Sequence, residues 1–266
     1  MIKLIKNILG KLDLTINKKS TLNKRLNESI SLVDYQNDIE FVNYFSPIIG
    51  NKLLDLIKES KSEVRQDIFF LNQINFKRDG FFVDIGASDG ITFSNTYLIE
   101  KNYGYKGILV EPSKFQAQNI EKIRKAKLID KCVWSESGKI LKFIDAGNLS
   151  TIKNFIKSDS FYKERINKKV FDVETISLTD LLDQSNAPSK IEYLSIDTEG
   201  SEFDILAAHD FSKYSFDVIT CEHNFTDKRN KIYELLLSKN YERKFEKISR
   251  HDDWYVKKDI SEGIIS

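Results

Sequence analysis

The spacing of apolar residues changes near residue 80 of this chain. Upstream, apolar residues recur at helical intervals, and Val64, Ile68 and Leu71 predict a helix over about residues 62–73. From residue 81 to 240, short uninterrupted apolar runs alternate with helix-like segments. Such strands are typical of a parallel sheet that is covered by helices on both faces. The pattern therefore predicts a doubly wound, Rossmann-like α/β fold.

Each apolar run gives a predicted element with approximate bounds. Strands of the sheet are expected at residues 81–86, 106–111, 126–134, 191–197 and 216–222. Helices are expected at about residues 92–102, 113–125, 178–184, 201–208 and 227–240. Two antiparallel pairs are added, one joining 139–144 to 171–176 and one joining 241–248 to 254–257. The polar stretch at about 145–170 is expected to be a mobile insertion.

The chain is expected to have three parts: an N-terminal helical extension (1–60), the α/β domain (61–258) and a C-terminal tail (259–266). Near the start, apolar residues at 2, 5, 9 and 12 share one helical face. This pattern leaves open a short helix packed on the domain, a frayed terminus, and a helix that touches a membrane surface. There is no apolar run of about 18 residues and no secretory signal. A cytoplasmic protein with at most peripheral membrane contact is expected.

Charge and cysteine content narrow the function classes. The 266 residues include 41 Lys or Arg and 40 Asp or Glu, a formal net charge of +1. This balance provides no global field that would attract nucleic acid, so nucleic-acid binding is not expected. Cys132 and Cys221 lie far apart, outside any CxxC pattern, and form neither a disulfide framework nor a zinc site.

The loop after the first predicted strand, residues 84–90 (DIGASDG), suggests the ligand class. In open α/β sheets, ligands bind beyond the carboxyl ends of the strands. The dinucleotide pattern GxGxxG is absent, because Ser88 stands where its second glycine would be, and Asp89 would repel a phosphate. S-adenosylmethionine has no phosphate and carries a sulfonium and an ammonium group, so acidic side chains suit it. Asp84 and Asp89 are equally consistent with simple capping of the turn and helix.

The ends of the next two strands extend this interpretation. Glu111 directly follows the second strand, where a carboxylate can accept hydrogen bonds from both hydroxyls of a ribose. Nicotinamide enzymes use the same device, so Glu111 indicates an adenosine-type ligand without choosing between the two classes. Lys131 and Cys132, at the end of the third strand, would flank the adenine.

Several motifs together resemble the FkbM-type methyltransferases. They are residues 82–90 (FVDIGASDG), 94–97 (SNTY), 107–112 (GILVEP), 196–202 (IDTEGSE) and 221–224 (CEHN), within a resemblance covering about 62–258. Gln66-Asp67 and the run 252–255 (DDWY) also match. Residues 1–60 and the 145–170 insertion have no clear counterpart.

The resemblance implies a class I methyltransferase sheet with an antiparallel C-terminal hairpin, and transfer of a methyl group, usually to oxygen. Family members often modify sugars of surface polysaccharides, such as capsule or lipopolysaccharide, or polyketides. The expected acceptor is a small molecule or glycan precursor. The expected cofactor site comprises Asp84, Gly86, Ala87, Ser88, Asp89, Ser94, Asn95, Thr96, Glu111, Pro112, Lys131, Cys132 and Asp197.

Methyl transfer to a hydroxyl requires that the acceptor is aligned and loses its proton. Candidates follow the fourth and fifth strands: Asp197, Glu222 and His223, with Glu199 nearby. His223 or Asp197 is favoured as the base, since histidine titrates near neutrality. A divalent metal held by these carboxylates stays open but is not favoured, because histidine is a poor ligand for magnesium.

Two other classes of function are compatible with the same sheet. One is a nicotinamide-dependent oxidoreductase or epimerase, against which the missing middle glycine and the acidic loop argue. The other is a non-catalytic binding module, against which the acidic residues at several strand ends argue.

Overall fold

The computed structural model describes residues 37–263, and the chain divides into two compact units, Met1–Gly50 and Asn51–Ser266. In the first unit, residues 37–49 form helix α1, on which the rings of Phe41 and Phe45 stack with centroids 4.4 Å apart. The amphipathic segment predicted at residues 1–12 lies outside the described residues. Within residues 37–263, no helix combines the length and apolar character needed to cross a bilayer.

The second unit is built on a seven-stranded sheet. Its strands are β1 (Phe81–Ile85), β2 (Lys106–Val110), β3 (Lys127–Ile129), β8 (Lys190–Ile196), β9 (Ser215–Glu222), β10 (Tyr241–Lys244) and β11 (Asp252–Lys257). They are ordered β10-β11-β9-β8-β1-β2-β3, and β11 alone is antiparallel to its neighbours. Because β1, β2, β3, β8 and β9 are mutually parallel, their carboxyl ends meet at one edge. The predicted doubly wound, Rossmann-like class is confirmed.

Helices accompany the strands in alternation. They are α2 (Lys52–Glu59), α3 (Gln66–Gln73), α4 (Tyr97–Tyr103), α5 (Lys114–Ile123), α6 (Tyr162–Arg165), α7 (Leu178–Gln184), α8 (Glu202–Ala208), α9 (Lys228–Ser238) and α10 (Lys258–Gly263). The strands read as continuous apolar runs because both of their faces are covered, and Val83, Leu194 and Ile219 are all fully buried. Helix α2 falls in the unit with the sheet, although the sequence placed it in the N-terminal extension.

A second sheet of four strands interrupts this alternation. It contains β4 (Cys132–Trp134), β5 (Ile140–Asp145), β6 (Thr151–Ile152) and β7 (Lys169–Ser177), in the order β4-β7-β5-β6. The predicted pairing of the β5 and β7 segments is confirmed. The predicted third strand is wrong in extent, because the chain leaves the main sheet after Ile129 and its continuation pairs with β7.

The polar insertion between β5 and β7 also differs from expectation. It forms two short 3-10 helices, Gly147–Leu149 and Lys153–Phe155, the strand β6 and helix α6. We call residues 147–165 the covering segment. Its last residue, Arg165, is 1% exposed, so the segment carries a buried cation and is not merely a polar surface loop.

Candidate active site

A cavity opens at the carboxyl ends of β1, β2, β8 and β9, with the covering segment as one wall. It is lined by Glu63, Asp84, Ile85, Gly86, Ala87, Ser88, Thr92, Phe93, Ser94, Asn95, Val110, Glu111, Pro112, Cys132, Val133, Phe143, Gly147, Asn148, Leu149, Ser150, Ile152, Phe161, Ser195, Asp197, Thr198, Glu199, Ser201, Glu222, Asn224 and His251. The edge of an open α/β sheet at which parallel strands end is where such folds bind ligands. The geometry therefore identifies this cavity as the candidate active site.

Glu111 is held rigidly at the end of β2. Its Oε2 accepts a hydrogen bond from the Ser88 backbone N–H (2.9 Å) and its Oε1 accepts one from the Ser113 N–H (2.8 Å). Burial raises the pKa of Glu111 to about 8, although these two hydrogen bonds oppose the shift. Each oxygen keeps a second lone pair for a ligand hydroxyl. The carboxylate is thus oriented before any ligand arrives.

Gly86 allows the ends of β1 and β8 to come together. Its φ is +92°, and a Cβ there would lie 1.8 Å from the carbonyl oxygen of Asp197. The Gly86 N–H donates to Val110 O (3.0 Å), and the Asp197 N–H donates to Ile85 O (2.9 Å). A side chain at this position would displace Asp197. The glycine is therefore required by the neighbouring strand end, whether or not a ligand approaches it.

The loop between β1 and α4 is fixed by a buried arginine that the sequence did not suggest. Arg124 donates to the carbonyl of Gly90 (2.8 Å) and to the hydroxyls of Ser94 (3.2 Å) and Thr96 (2.9 Å). Thr96 Oγ1 in turn donates to Asp84 Oδ2 (2.6 Å). Burial raises the pKa of Asp84, while Thr96 and Arg124 oppose the shift. These bonds explain why α4 begins at Tyr97, later than predicted.

Asp197 and Glu222 form a pair of interacting carboxyl groups at the ends of β8 and β9. Burial raises the pKa of Asp197 to about 7, with a hydrogen bond from Glu222 opposing the shift. Burial and the charge of Asp197 raise the pKa of Glu222 well above its usual range. Two buried carboxyl groups this close cannot both ionise easily, so Asp197 and Glu222 titrate as a pair that shares a proton. A carboxylate that titrates near neutrality suits a general base.

Glu199 completes a group of three acids. One ligand atom from each of Asp197, Glu199 and Glu222 lies within 4.8 Å of the others, a spacing compatible with a metal ion. Glu199 Oε2, however, already accepts a hydrogen bond from Arg165 (2.7 Å) and one from the side-chain amide of Asn224 (3.1 Å). A metal would be left with Oε1 of Glu199, beside a guanidinium that repels a cation. The arrangement fits a carboxyl pair beside an arginine-bound glutamate better than it fits three free ligands.

His223 does not reach the cavity. Its side chain is 1% exposed, and its Nε2 lies 3.7 Å from Asp253 Oδ1. Its Nδ1 accepts a hydrogen bond from the Phe225 N–H (2.9 Å). Burial lowers the pKa of His223 to about 4, although Asp253 opposes the shift. Since adjacent residues at a strand end point to opposite sides, Glu222 faces the cavity and His223 faces away. The sequence left His223 and Asp197 open as the base, and this geometry removes His223 and leaves Asp197.

Three residues expected around the cofactor are likewise not among the cavity walls. Asp89 accepts hydrogen bonds from the N–H groups of Ile91 and Thr92 (2.9 and 2.7 Å), the capping role that the sequence left open. Thr96 is fully buried, and its hydroxyl donates to Asp84. Lys131 forms an ion pair with Glu174 (2.7 Å), so only its neighbour Cys132 flanks the cavity.

The other expected residues do line the cavity, together with several that the sequence did not single out. The expected ones are Asp84, Gly86, Ala87, Ser88, Ser94, Asn95, Glu111, Pro112, Cys132, Asp197 and Glu222. The covering segment adds Asn148, Leu149, Ser150 and Phe161. Asn148 Oδ1 accepts a hydrogen bond from the Ser88 hydroxyl (2.6 Å), which joins that segment to the first loop. The sequence signal that could have identified the covering-segment residues is the polar stretch at about 145–170, because it joins two strands next to the site.

Comparison with known proteins agrees with the geometry. The methyltransferase FkbM domain matches residues 84–253. Similar solved structures include the methyltransferase FkbM from Methylobacillus flagellatus KT, which is 11% identical, with a TM-score of 0.43 over 80% of this chain and 60% of that chain. Another is the precorrin-6y C5,15-methyltransferase from Geobacter metallireducens GS-15 (15% identity, TM-score 0.39, 67% and 71% covered). A third is the N-terminal domain of human METTL16 in complex with SAH (11% identity, TM-score 0.40, 74% of this chain and 70% of that chain covered).

No curated protein matches the sequence. The domain match nevertheless spans more than half of the chain and contains the strand ends that build the cavity. The protein therefore belongs to the FkbM methyltransferase family and has the class I fold of S-adenosylmethionine-dependent methyltransferases.

Proposed function

We propose that the chain transfers the methyl group of S-adenosylmethionine to a hydroxyl of a sugar, or of a related precursor of a surface polysaccharide such as capsule or lipopolysaccharide. The observation that carries the proposal is the charge of the cavity. Among the described residues that line it there are six carboxyl groups, and neither Lys nor Arg: Glu63, Asp84, Glu111, Asp197, Glu199 and Glu222. Burial raises the pKa of most of these acids in the ligand-free protein, so a bound sulfonium or ammonium group would be stabilised by ionising them. The pyrophosphate of a nicotinamide dinucleotide would oppose that ionisation.

The same lining supports an uncharged acceptor. A phosphate or carboxylate inside the cavity would meet acidic side chains without a balancing cation, whereas a neutral ring with several hydroxyls would find hydrogen-bonding partners. The Asn148 amide nitrogen and the Asn224 amide oxygen offer such groups, and Phe93 and Phe161 offer apolar surface for the face of a ring. A sugar thus fits the walls, and any phosphate attached to it would stay outside.

The residues divide the chemistry between them. S-adenosylmethionine, when bound, supplies an electrophilic methyl group. Glu111 is placed to accept the ribose hydroxyls, and the backbone of Gly86 to Ser88 forms the adjoining wall. Asp197 would accept the proton of the acceptor hydroxyl while the new O–C bond forms and the methyl–sulfur bond breaks, with S-adenosylhomocysteine as the leaving group. Glu222 orients that carboxylate by hydrogen bonding to it.

Label transfer tests the proposal. Protein is incubated with methyl-labelled S-adenosylmethionine and a panel of nucleotide sugars and lipid-linked glycan precursors, and the products are analysed for O-methyl sugars. We expect label in a sugar ether, and loss of transfer in Asp197→Asn. The matched control is Asp172→Asn, an exposed acid on β7 that pairs with Lys142 away from the cavity. Label on nitrogen or carbon alone would refute O-methylation.

Thermal protection separates the cofactor classes independently of the acceptor. S-adenosylhomocysteine is expected to raise the melting temperature, and NAD is expected to leave it unchanged. Protection by NAD alone would support the oxidoreductase alternative.

Metal dependence is decided by chelation. Full activity after exhaustive chelation supports Asp197 as a base without metal. Activity lost on chelation and restored by magnesium or manganese would instead support metal binding by Asp197, Glu199 and Glu222.

The expected cellular location remains a prediction. A cytoplasmic enzyme has access to nucleotide sugars and glycan precursors, and residues 1–12 provide a basic amphipathic segment for peripheral membrane contact. Cell fractionation tests this, and export of the protein would contradict it.

A further inference from the structure

Arg165 is the last residue of α6, and its side chain is 0% exposed. It donates three hydrogen bonds to three separate parts of the chain: to Leu149 O (2.8 Å), to Asp159 Oδ1 (2.8 Å) and to Glu199 Oε2 (2.7 Å). A buried guanidinium with its donors matched by two carboxylates and a carbonyl has one orientation available to it. Nothing in the chemistry described above uses this cation directly.

The covering segment is attached to Glu199 by backbone contacts as well. The Thr151 hydroxyl donates to the carbonyl oxygen of Glu199 (3.0 Å). The Ser158 hydroxyl, which donates to Phe155 O (2.8 Å), lies 3.2 Å from the same Glu199 oxygen. Glu199 itself has φ +59°, an uncommon conformation for a residue with a side chain. Three side chains of one segment thus converge on one residue that follows β8 in a strained conformation.

The same segment contributes cavity wall beside Asp197. Leu149 and Phe161 line the cavity, and so does Asn224, whose amide donates to the oxygen of Glu199 that Arg165 also binds (3.1 Å). Through Arg165, the position of this wall depends on the position of Glu199, which lies next to the Asp197–Glu222 pair.

We propose that Arg165 is a positioning residue that fastens the covering segment to Glu199 and thereby sets the acceptor-facing wall of the cavity. The acceptor-facing role of this wall rests on the proposed function, whereas the attachment of the covering segment to Glu199 does not. The segment also contacts the first loop, because the Ser88 hydroxyl donates to Asn148 Oδ1 (2.6 Å). Glu111 is held by backbone N–H groups outside the segment, so it should keep the cofactor while the segment determines which sugar enters. Loss of Arg165 should therefore affect acceptor binding more than cofactor binding.

Three variants test the proposal. Arg165→Met removes all three donors, and Arg165→Lys keeps the charge but cannot reach three acceptors at once. Arg243→Met is the control, because Arg243 on β10 also pairs with acids, Glu246 and Asp253, and does not line the cavity. Each protein is measured for amide hydrogen exchange over residues 147–165, for S-adenosylhomocysteine affinity by calorimetry, and for KM and kcat with the sugar that shows the highest turnover in the label-transfer panel.

In Arg165→Met we expect at least tenfold faster exchange in the covering segment, S-adenosylhomocysteine affinity within threefold of the parent, and an acceptor KM raised at least tenfold with a smaller change in kcat. Arg165→Lys should give exchange rates and an acceptor KM between those of the parent and Arg165→Met. Arg243→Met should match the parent in all three measurements. Unchanged exchange in Arg165→Met, or a loss of cofactor affinity larger than the rise in KM, overturns the proposal. If no sugar is methylated, the proposed function fails, while the exchange and affinity measurements still decide the role of Arg165.

Discussion

At the scale of single residues, Glu111 shows how one buried carboxylate can be prepared for a ligand. Its two oxygens are held by N–H groups from the two loops that follow β1 and β2, so its orientation is fixed by the backbone. A side chain held in this way loses little conformational entropy on binding, and two hydroxyls can approach its remaining lone pairs.

We predict that Glu111→Ala weakens S-adenosylmethionine binding at least tenfold. Loss of the buried acceptor that two hydroxyls would share costs about 1–3 kcal/mol. Calorimetry measures the affinity, and Glu174→Ala, which removes an exposed partner of Lys131, is the control. Equal affinity in the parent and Glu111→Ala would contradict the assignment, whereas a collapse of the far-ultraviolet dichroism would show instead that the variant had not folded.

The second residue-scale prediction concerns Asp197. Since burial raises the pKa of Asp197 to about 7, much of it carries a proton at pH 6 and cannot accept another. We expect kcat/KM, which reports ionisation of the free enzyme, to rise by up to tenfold per pH unit below about pH 7 and to level off above it. Asp197→Asn should lose about 10² to 10⁴ in kcat. A flat profile from pH 5.5 to 8.5 would exclude Asp197 as the base.

At the scale of elements, the sheet could be predicted closely from sequence because its strands are buried on both faces. A five-residue run such as FFVDI at β1 is uniformly apolar apart from the acid that faces the site. The end of β3 could not be predicted, because strand-forming residues lie on both sides of Asp130-Lys131. Only tertiary pairing shows that Cys132 belongs to the second sheet.

The site was predictable where residues follow strands directly, as Glu111 and Asp197 do. It was not predictable where orientation or long-range contact decides the role. Glu222 and His223 are adjacent in sequence, and only the pleat of β9 shows which of them faces the cavity. The contact of Gln66 Nε2 with Asp252 Oδ2 (2.7 Å) joins two motifs at opposite ends of the domain and leaves no signal in local sequence.

Arg124 provides the prediction at this scale, because one side chain organises the whole segment between β1 and α4. Arg124→Lys can keep the ion pair with Glu100 but loses the fork that reaches Gly90, Ser94 and Thr96. Leaving these buried groups unpaired costs about 1–3 kcal/mol. We expect a lower free energy of unfolding and at least threefold weaker cofactor binding. Arg243→Lys, in an ion pair at the sheet edge, is the control, and an unaltered affinity in Arg124→Lys would refute the role.

At the scale of the whole molecule, acids buried without sufficient cations dominate the electrostatics. Burial raises the pKa of Asp67, Asp197 and Asp252 to about 7 and that of Glu111 to about 8. Two of these four, Glu111 and Asp197, line the cavity, as expected for a site that accommodates a cationic cofactor. Ionising these buried acids without a nearby cation lowers the free energy of unfolding.

The raised pKa values of these buried acids predict how the free energy of unfolding changes with pH. A carboxyl group whose pKa is higher in the folded than in the unfolded state stabilises the fold at low pH, and this stabilisation is lost as the pH rises through the folded pKa. Burial lowers the pKa of His209 and His223 to about 4, which has the opposite effect, but only below about pH 6.5 where unfolded histidine becomes charged. Between pH 6.5 and 8.5 the carboxyl groups therefore determine the pH dependence of stability, which falls as the pH rises.

One net proton held by the folded state corresponds to about 1.4 kcal/mol per pH unit, or a fall in melting temperature of roughly 3–6 °C per unit. Scanning calorimetry at constant ionic strength measures the slope, which Glu111→Gln should reduce and saturating S-adenosylmethionine should also reduce. A melting temperature that rises from pH 6.5 to 8.5 would show that these carboxyl groups are already ionised in the folded protein.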